Sequence, residues 1–135
     1  MAKEIKSILL IEDDLAINYF HKRLFLKLEI SNSVLPFFNV SDALKELVNL
    51  NTTLSKNDLV FIFLDINMPE IDGWSFLEEF DKIRSTLIGE FKIFFLSGSI
   101  NPEDIEKAKN NNLVTNYYAK PLMMEGILEL KEIYS

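Results

Sequence analysis

The chain has 135 residues, the size of one domain, with 48% hydrophobic and 26% charged residues, a globular rather than a disordered composition. Lys and Arg number 14 against 21 Asp and Glu, so the net charge is −7, which suits neither nucleic-acid phosphates nor an anionic membrane surface. The absence of Cys and the single His, His21, exclude disulfide scaffolds, thiolate zinc sites, iron–sulfur clusters and any site needing two histidines.

The stretch Met1 to Lys6 leads into a short apolar run that Glu12-Asp13-Asp14 ends, too short and too acidic for a signal peptide. No apolar run reaches the length of a membrane span, and a cytoplasmic protein is expected. Ser7 to Ile11 reads as a buried strand, and Asp14 to Leu28 as a helix with Ile17, Phe20, Leu24 and Leu28 inward. Val34 to Phe38 is a second strand, placed at a sheet edge because Pro36 cannot donate to a ladder. Ser41 is an N-cap candidate for a helix to Leu50 with Leu44, Leu47 and Val48 inward. Leu59 to Leu64 is an unbroken apolar run, as a central strand covered on both faces requires. After a loop from Asp65 to Asp72, a helix runs from Gly73 to about Arg84 with Phe76, Leu77, Phe80 and Ile83 inward. Phe91 to Leu96 is a fourth strand, and Pro102 opens a helix to about Asn110. Val114 to Ala119 is a fifth strand at the other edge, and Pro121 opens a last helix with Ile127, Leu130 and Tyr134 on one stripe.

This is a (βα) unit five times over, so a single α/β domain with a parallel sheet and helices on both faces is expected. With the second strand at an edge, the order is 2-1-3-4-5, and ligands belong at the carboxyl ends beside the switch point between strands one and three. The residues closing the strands are Glu12-Asp13-Asp14, Asp65, Ser97-Gly98-Ser99 and Lys120-Pro121. Each alone is ordinary: acids favour a helix N-terminus, and Asp, Asn, Ser and Pro favour turns. Together they bring carboxylates, a hydroxyl and an ammonium to one rim. Crowded carboxylates call for a hard cation, and Mg²⁺ takes oxygen ligands. A cation, an ammonium and a hydroxyl grouped around an aspartate are apparatus for placing a phosphoryl group on it.

The stretches Ile8 to Asp14, Phe63 to Gly73, Phe95 to Gly98 and Tyr117 to Pro121, in that order, resemble the receiver domain of two-component response regulators, whose fold is flavodoxin-like. The resemblance implies that Asp65 accepts a phosphoryl group from a histidine kinase or a histidine phosphotransfer protein. It implies that Asp13 binds Mg²⁺, with Asp65, Glu12 through water and the Asn67 backbone carbonyl completing the metal set. Ser97 and Lys120 would bind the phosphoryl oxygens, and Tyr117 would be the switch aromatic that moves with Ser97. Asn67 and Ser99 fall where the family tunes the lifetime of the acyl phosphate. Glu12 stands where many members carry Asp, and Ser97 where Thr is commoner, which loses a methyl that restrains χ1. Asn110-Asn111-Asn112 replaces a Gly-containing turn, and Asn tolerates the left-handed region well.

The chain ends at Ser135 directly after the last helix, so one receiver domain over residues 1–135, acting without an output domain, is expected. It would not be an enzyme. Its output would be a contact with a downstream protein target through the fourth helix, fifth strand and fifth helix, as a monomer or a phosphorylation-dependent homodimer. A Mg²⁺-dependent phosphatase with an aspartyl nucleophile is the main rival, but it needs a second Asp where Asn67 stands. A flavodoxin-like cofactor binder needs a hydroxyl- and Gly-rich phosphate loop where Glu12-Asp13-Asp14 stands. A receiver that no longer takes phosphate is a third alternative, although every reactive position is filled. His21 reads as a plain helix residue, and Trp74 and Phe76 as helix surface and core.

Overall fold

In the computed structural model, which describes residues 4–68, 73–98 and 101–134, strands and helices alternate from end to end. They are β1 (Glu4–Ile11), α1 (Leu15–Lys27), β2 (Val34–Phe37), α2 (Val40–Asn51), β3 (Asp58–Asp65), α3 (Gly73–Ile83), β4 (Glu90–Ser97), α4 (Pro102–Lys109), β5 (Val114–Ala119) and α5 (Met124–Ile133), with a 3₁₀ turn at Arg84–Thr86. The strands form one parallel sheet in the order β2-β1-β3-β4-β5. As Pro36 requires, β2 pairs on one side only, with β1.

The centre of the sheet is β3. Its residues from Leu59 to Leu64 are at most 2% exposed, because both faces are covered. Side chains alternate across the sheet, so Val60, Ile62 and Leu64 pack with α2, α3 and α4, whereas Phe61 and Phe63 pack with α1 and α5. The second layer is aromatic. Phe63 stacks on Phe94 with centroids 4.9 Å apart, and Phe25 reaches Phe63 at 5.0 Å. Ring pairs of this kind add about 0.5–1.5 kcal/mol each beyond the area they bury.

The helix faces differ from the sequence expectation in three places. In α1 the buried residues are Asn18, His21 and Phe25, while Phe20 is exposed. Asn18 and His21 are polar, so hydropathy alone rotates the inner face away from them. In α2 the N-cap is Asn39, whose Oδ1 accepts the Asp42 N–H at 2.8 Å, rather than Ser41. That helix buries Val40, Ala43 and Leu47 and leaves Val48 exposed. Finally, α5 starts at Met124 and not at Pro121. Pro121 instead belongs to a turn, after a cis Lys120–Pro121 peptide bond.

Gly73 opens α3 against the end of β3. A Cβ there would lie 2.9 Å from the Ile66 Cα and 3.1 Å from the Asp65 carbonyl oxygen, both backbone atoms that cannot swing aside. Gly73→Ala is therefore expected to destabilise the fold by about 1–3 kcal/mol, the usual range for overpacking, as read by urea unfolding.

Candidate functional site

A parallel sheet brings all its strand C-termini to one edge, and the register here aligns the polar residues that follow. Ile11 pairs with Leu64, so Glu12 falls beside Asp65. Asp65 pairs with Leu96, which puts Ser97 one position further along. Ser97 pairs with Ala119, and Lys120 follows. The Lys120 N–H donates to the Ser97 carbonyl at 2.9 Å, fixing the backbone where the lysine leaves β5.

The Lys120 ammonium crosses the edge and joins the two halves of the site. Its Nζ lies 2.9 Å from Glu12 Oε1 and 3.1 Å from Asp65 Oδ2. Both carboxylates are 1% exposed. The remaining oxygens are held by backbone. Glu12 Oε2 accepts the Asp14 N–H at 3.2 Å, and Asp65 Oδ1 accepts the Asn67 N–H at 3.1 Å. Asp14 also caps α1 through the Ile17 N–H, so the acidic stretch is shaped by the helix start as well as by the site.

Burial sets the electrostatics. It raises the Glu12 carboxyl, with the neighbouring Asp65 adding to the rise and Lys120 opposing it, from 4.5 to about 7. Burial pulls Lys120 the other way, but its hydrogen bonds to Glu12 and Asp65 outweigh it and hold the ammonium above the ordinary lysine range.

Asp13 is exposed and contributes a third carboxylate. One oxygen each from Glu12, Asp13 and Asp65 lies within 4.8 Å of the others. With all three ionised, they exceed the single ammonium by two negative charges, and the donor set is entirely hard oxygen. Both properties fit a divalent cation such as Mg²⁺. Asn67 is exposed beside them, with its N–H already committed to Asp65.

On the far side, Ser97 and Tyr117 are both half-buried and share a cavity of about 330 Å³ with Ile66, Phe95, Ile105 and Ala108. Ser99 lies outside the described residues. Phe76 is fully buried, as a core residue should be. Trp74 is half-buried, edge-on to Phe95 at 4.8 Å, with the Lys107 ammonium 4.1 Å from its ring centre.

Two residues of the site's support were not legible from the sequence. Asn18 is fully buried, and its Nδ2 donates to the carbonyls of Glu12 at 3.1 Å and Phe37 at 2.9 Å. His21 is 1% exposed, and its Nε2 accepts the Leu122 N–H at 2.9 Å. Burial first, and the Lys120 charge second, push the imidazole from 6.5 to about 4, so it is neutral. The one available signal was their i, i+3 spacing, which puts both on one side of α1.

Residues 8–131 match the sequence model of the response regulator receiver domain family. No curated protein sequence matches the chain significantly. The fold is similar to that of a two-component response regulator from Cytophaga hutchinsonii, with a TM-score of 0.78 and 24% identity over 98% of each chain. A two-component response regulator from Legionella pneumophila superposes with a TM-score of 0.75 and 26% identity, over 96% of this chain and 97% of that one. The chemotaxis protein CheY4 of Vibrio cholerae gives a TM-score of 0.72 and 18% identity, over 97% and 99%.

The two shifted groups act on stability in opposite directions. Glu12, raised in the folded state, contributes stability that is complete below 4.5 and lost as the pH rises through about 7. His21, depressed in the folded state, contributes stability that is complete above 6.5 and lost as the pH falls through about 4. Chemical denaturation across this range, without divalent cations, is expected to show Glu12→Gln flattening the loss toward neutral pH and His21→Gln flattening the loss toward acid.

Proposed function

The chain belongs to the response regulator receiver domain family, and on that premise we propose that it is the phospho-accepting switch of a two-component relay, with Asp65 as the acceptor. The observation that carries this reading is the convergence of the Asp65 carboxylate with Glu12 and Asp13 on one side and the Lys120 ammonium, 3.1 Å away, on the other. The phosphodonor is a histidine kinase or a histidine phosphotransfer protein. An Asp65 carboxylate oxygen forms a bond to phosphorus as the phosphorus–nitrogen bond of the donor breaks, and the departing imidazole keeps the bonding pair.

Glu12, Asp13, Asp65 and the Asn67 backbone carbonyl would hold Mg²⁺, with Glu12 acting through water. When bound, that ion neutralises charge on the phosphoryl oxygens. Lys120 exchanges part of its pairing with Asp65 for a phosphoryl oxygen, and the Ser97 hydroxyl donates to another. Tyr117, which lines the same cavity as Ser97, follows it. Asn67 and Ser99 stand at the sequence positions where the family tunes the lifetime of the acyl phosphate, and they would set it here. The domain acts as a signalling module rather than an enzyme, and its output is the face formed by α4, β5 and α5 against a protein target. Phosphorylation works as a population shift, requiring only that the phosphoryl group bind one of two states more tightly.

Intact-mass measurement after incubation with acetyl phosphate and Mg²⁺ is expected to show one added phosphoryl group, absent in Asp65→Asn and absent when the metal is chelated. Sustained phosphate release without a stable adduct would overturn the reading in favour of a phosphatase. In the same assay Lys120→Ala is expected to retain some labelling, while the chemical-shift response of Ser97 and Tyr117 to phosphorylation shrinks.

A further inference from the structure

The Lys120 backbone is bracketed by two hydrogen bonds. Before the side chain, the Lys120 N–H is held by the Ser97 carbonyl at 2.9 Å. After it, the next anchor is the Leu122 N–H, held by His21 Nε2 at 2.9 Å across 101 residues of sequence. The second bond is buried, with His21 at 1% and Leu122 at 3% exposure. A ring nitrogen that accepts carries no proton, so the proton of the neutral imidazole sits on Nδ1. One turn earlier on the same helix, Asn18 ties the Glu12 carbonyl to the Phe37 carbonyl. A single turn of α1 thus holds the Glu12 backbone directly and the Lys120 backbone through Leu122, two residues on. A lysine side chain is a flexible four-carbon stem, so the placement of its head depends on where the backbone starts it.

We propose that His21 is a positioning residue for phosphoryl transfer: by accepting the Leu122 N–H it fixes the Lys120–Pro121–Leu122 segment, keeping the Lys120 ammonium aimed at Asp65 where the phosphoryl group enters. The inference rests on the reading of Asp65 as phosphoacceptor and Lys120 as its cation. A histidine that serves only the core would contribute to stability and leave the transfer rate alone.

The test compares wild type, His21→Leu and His21→Gln, the last of which offers Oε1 to the Leu122 N–H. Three quantities are read: the Lys120 Nζ resonance without any phosphodonor, the phosphorylation rate with acetyl phosphate at saturating Mg²⁺, and the Mg²⁺ concentration for half-maximal rate. In His21→Leu the Nζ resonance is expected to move toward that of exposed lysines. Its saturating rate is expected to fall about tenfold, in line with the cost of slight misplacement of a reacting group, while the half-saturating Mg²⁺ shifts less than about twofold. His21→Gln is expected to return both the resonance and the rate close to wild type. An unmoved Nζ with a wild-type rate in His21→Leu overturns the positioning role, as does His21→Gln that is as slow as His21→Leu. If His21→Leu does not fold, the nitrogen resonances of wild-type His21 decide: an Nε2 that carries the proton overturns the proposal. A wild-type protein that takes no phosphoryl group overturns the reading of Asp65, which separates that failure from one of His21 alone.

Discussion

The Lys120 ammonium, held between two almost fully buried carboxylates, is the constraint on which the rest of the structure depends. Taking a carboxylate out of water costs several kcal/mol, and two in contact repel each other as well. A partly buried cation at hydrogen-bond distance from both makes the arrangement tolerable. It does not balance it, because Asp13 adds a third negative charge at the rim. The fold therefore carries a local excess of negative charge that its own side chains do not neutralise. That imbalance disposes the site toward a divalent cation. Burial, with the neighbouring Asp65 carboxylate adding to it, raises the Glu12 carboxyl to about 7, so holding a proton there is one way the protein relieves the repulsion.

The sheet makes this concentration of charge possible. The inner strands β1, β3 and β4 are anchored by apolar stretches that are buried and end where the polar residues begin. Leu64 is wholly buried, and Asp65, its neighbour, is 1% exposed yet polar. The stabilisation from β3 and the aromatic layer around Phe61, Phe63 and Phe94 offsets the cost of the charges at its end. Gly73 belongs to the same economy of space, since the start of α3 passes too close to the Asp65 backbone to leave room for a Cβ.

The strands and their order were legible in the sequence for a physical reason. Parallel strands covered on both sides are continuous apolar runs, and Pro36 marks β2 as an edge. The polar ends of those runs revealed Glu12, Asp65, Ser97 and Lys120, because a parallel topology collects strand ends without any long-range calculation. The helix faces were less legible. Hydropathy assigns Phe20 inward and His21 to no special place, whereas His21 is buried by a bond to a backbone amide 101 residues away. No local pattern encodes that partner. The N-cap of α2 was misplaced for a related reason: Asn39 and Ser41 are both competent caps, and the choice depends on where β2 releases the chain. Pro121 suggested a helix start, but the backbone there is committed to the turn that delivers Lys120.

The supports around the charged pair are unequal, and this gives the proposed switch a direction. On the β1 side, Asn18 and His21 fix the backbones flanking Glu12 and Lys120 through buried hydrogen bonds. On the β4–β5 side, α4 buries only Ala108 completely, and the space of about 330 Å³ beneath it is lined by Ser97 and Tyr117. An open pocket of that size next to a thinly anchored helix marks the place where side chains can rearrange at least cost. A phosphoryl group entering at Asp65 would draw on Lys120 and Ser97 together. In the proposed switch the displacement would pass from Ser97, which shares the pocket with Tyr117, toward α4 and β5.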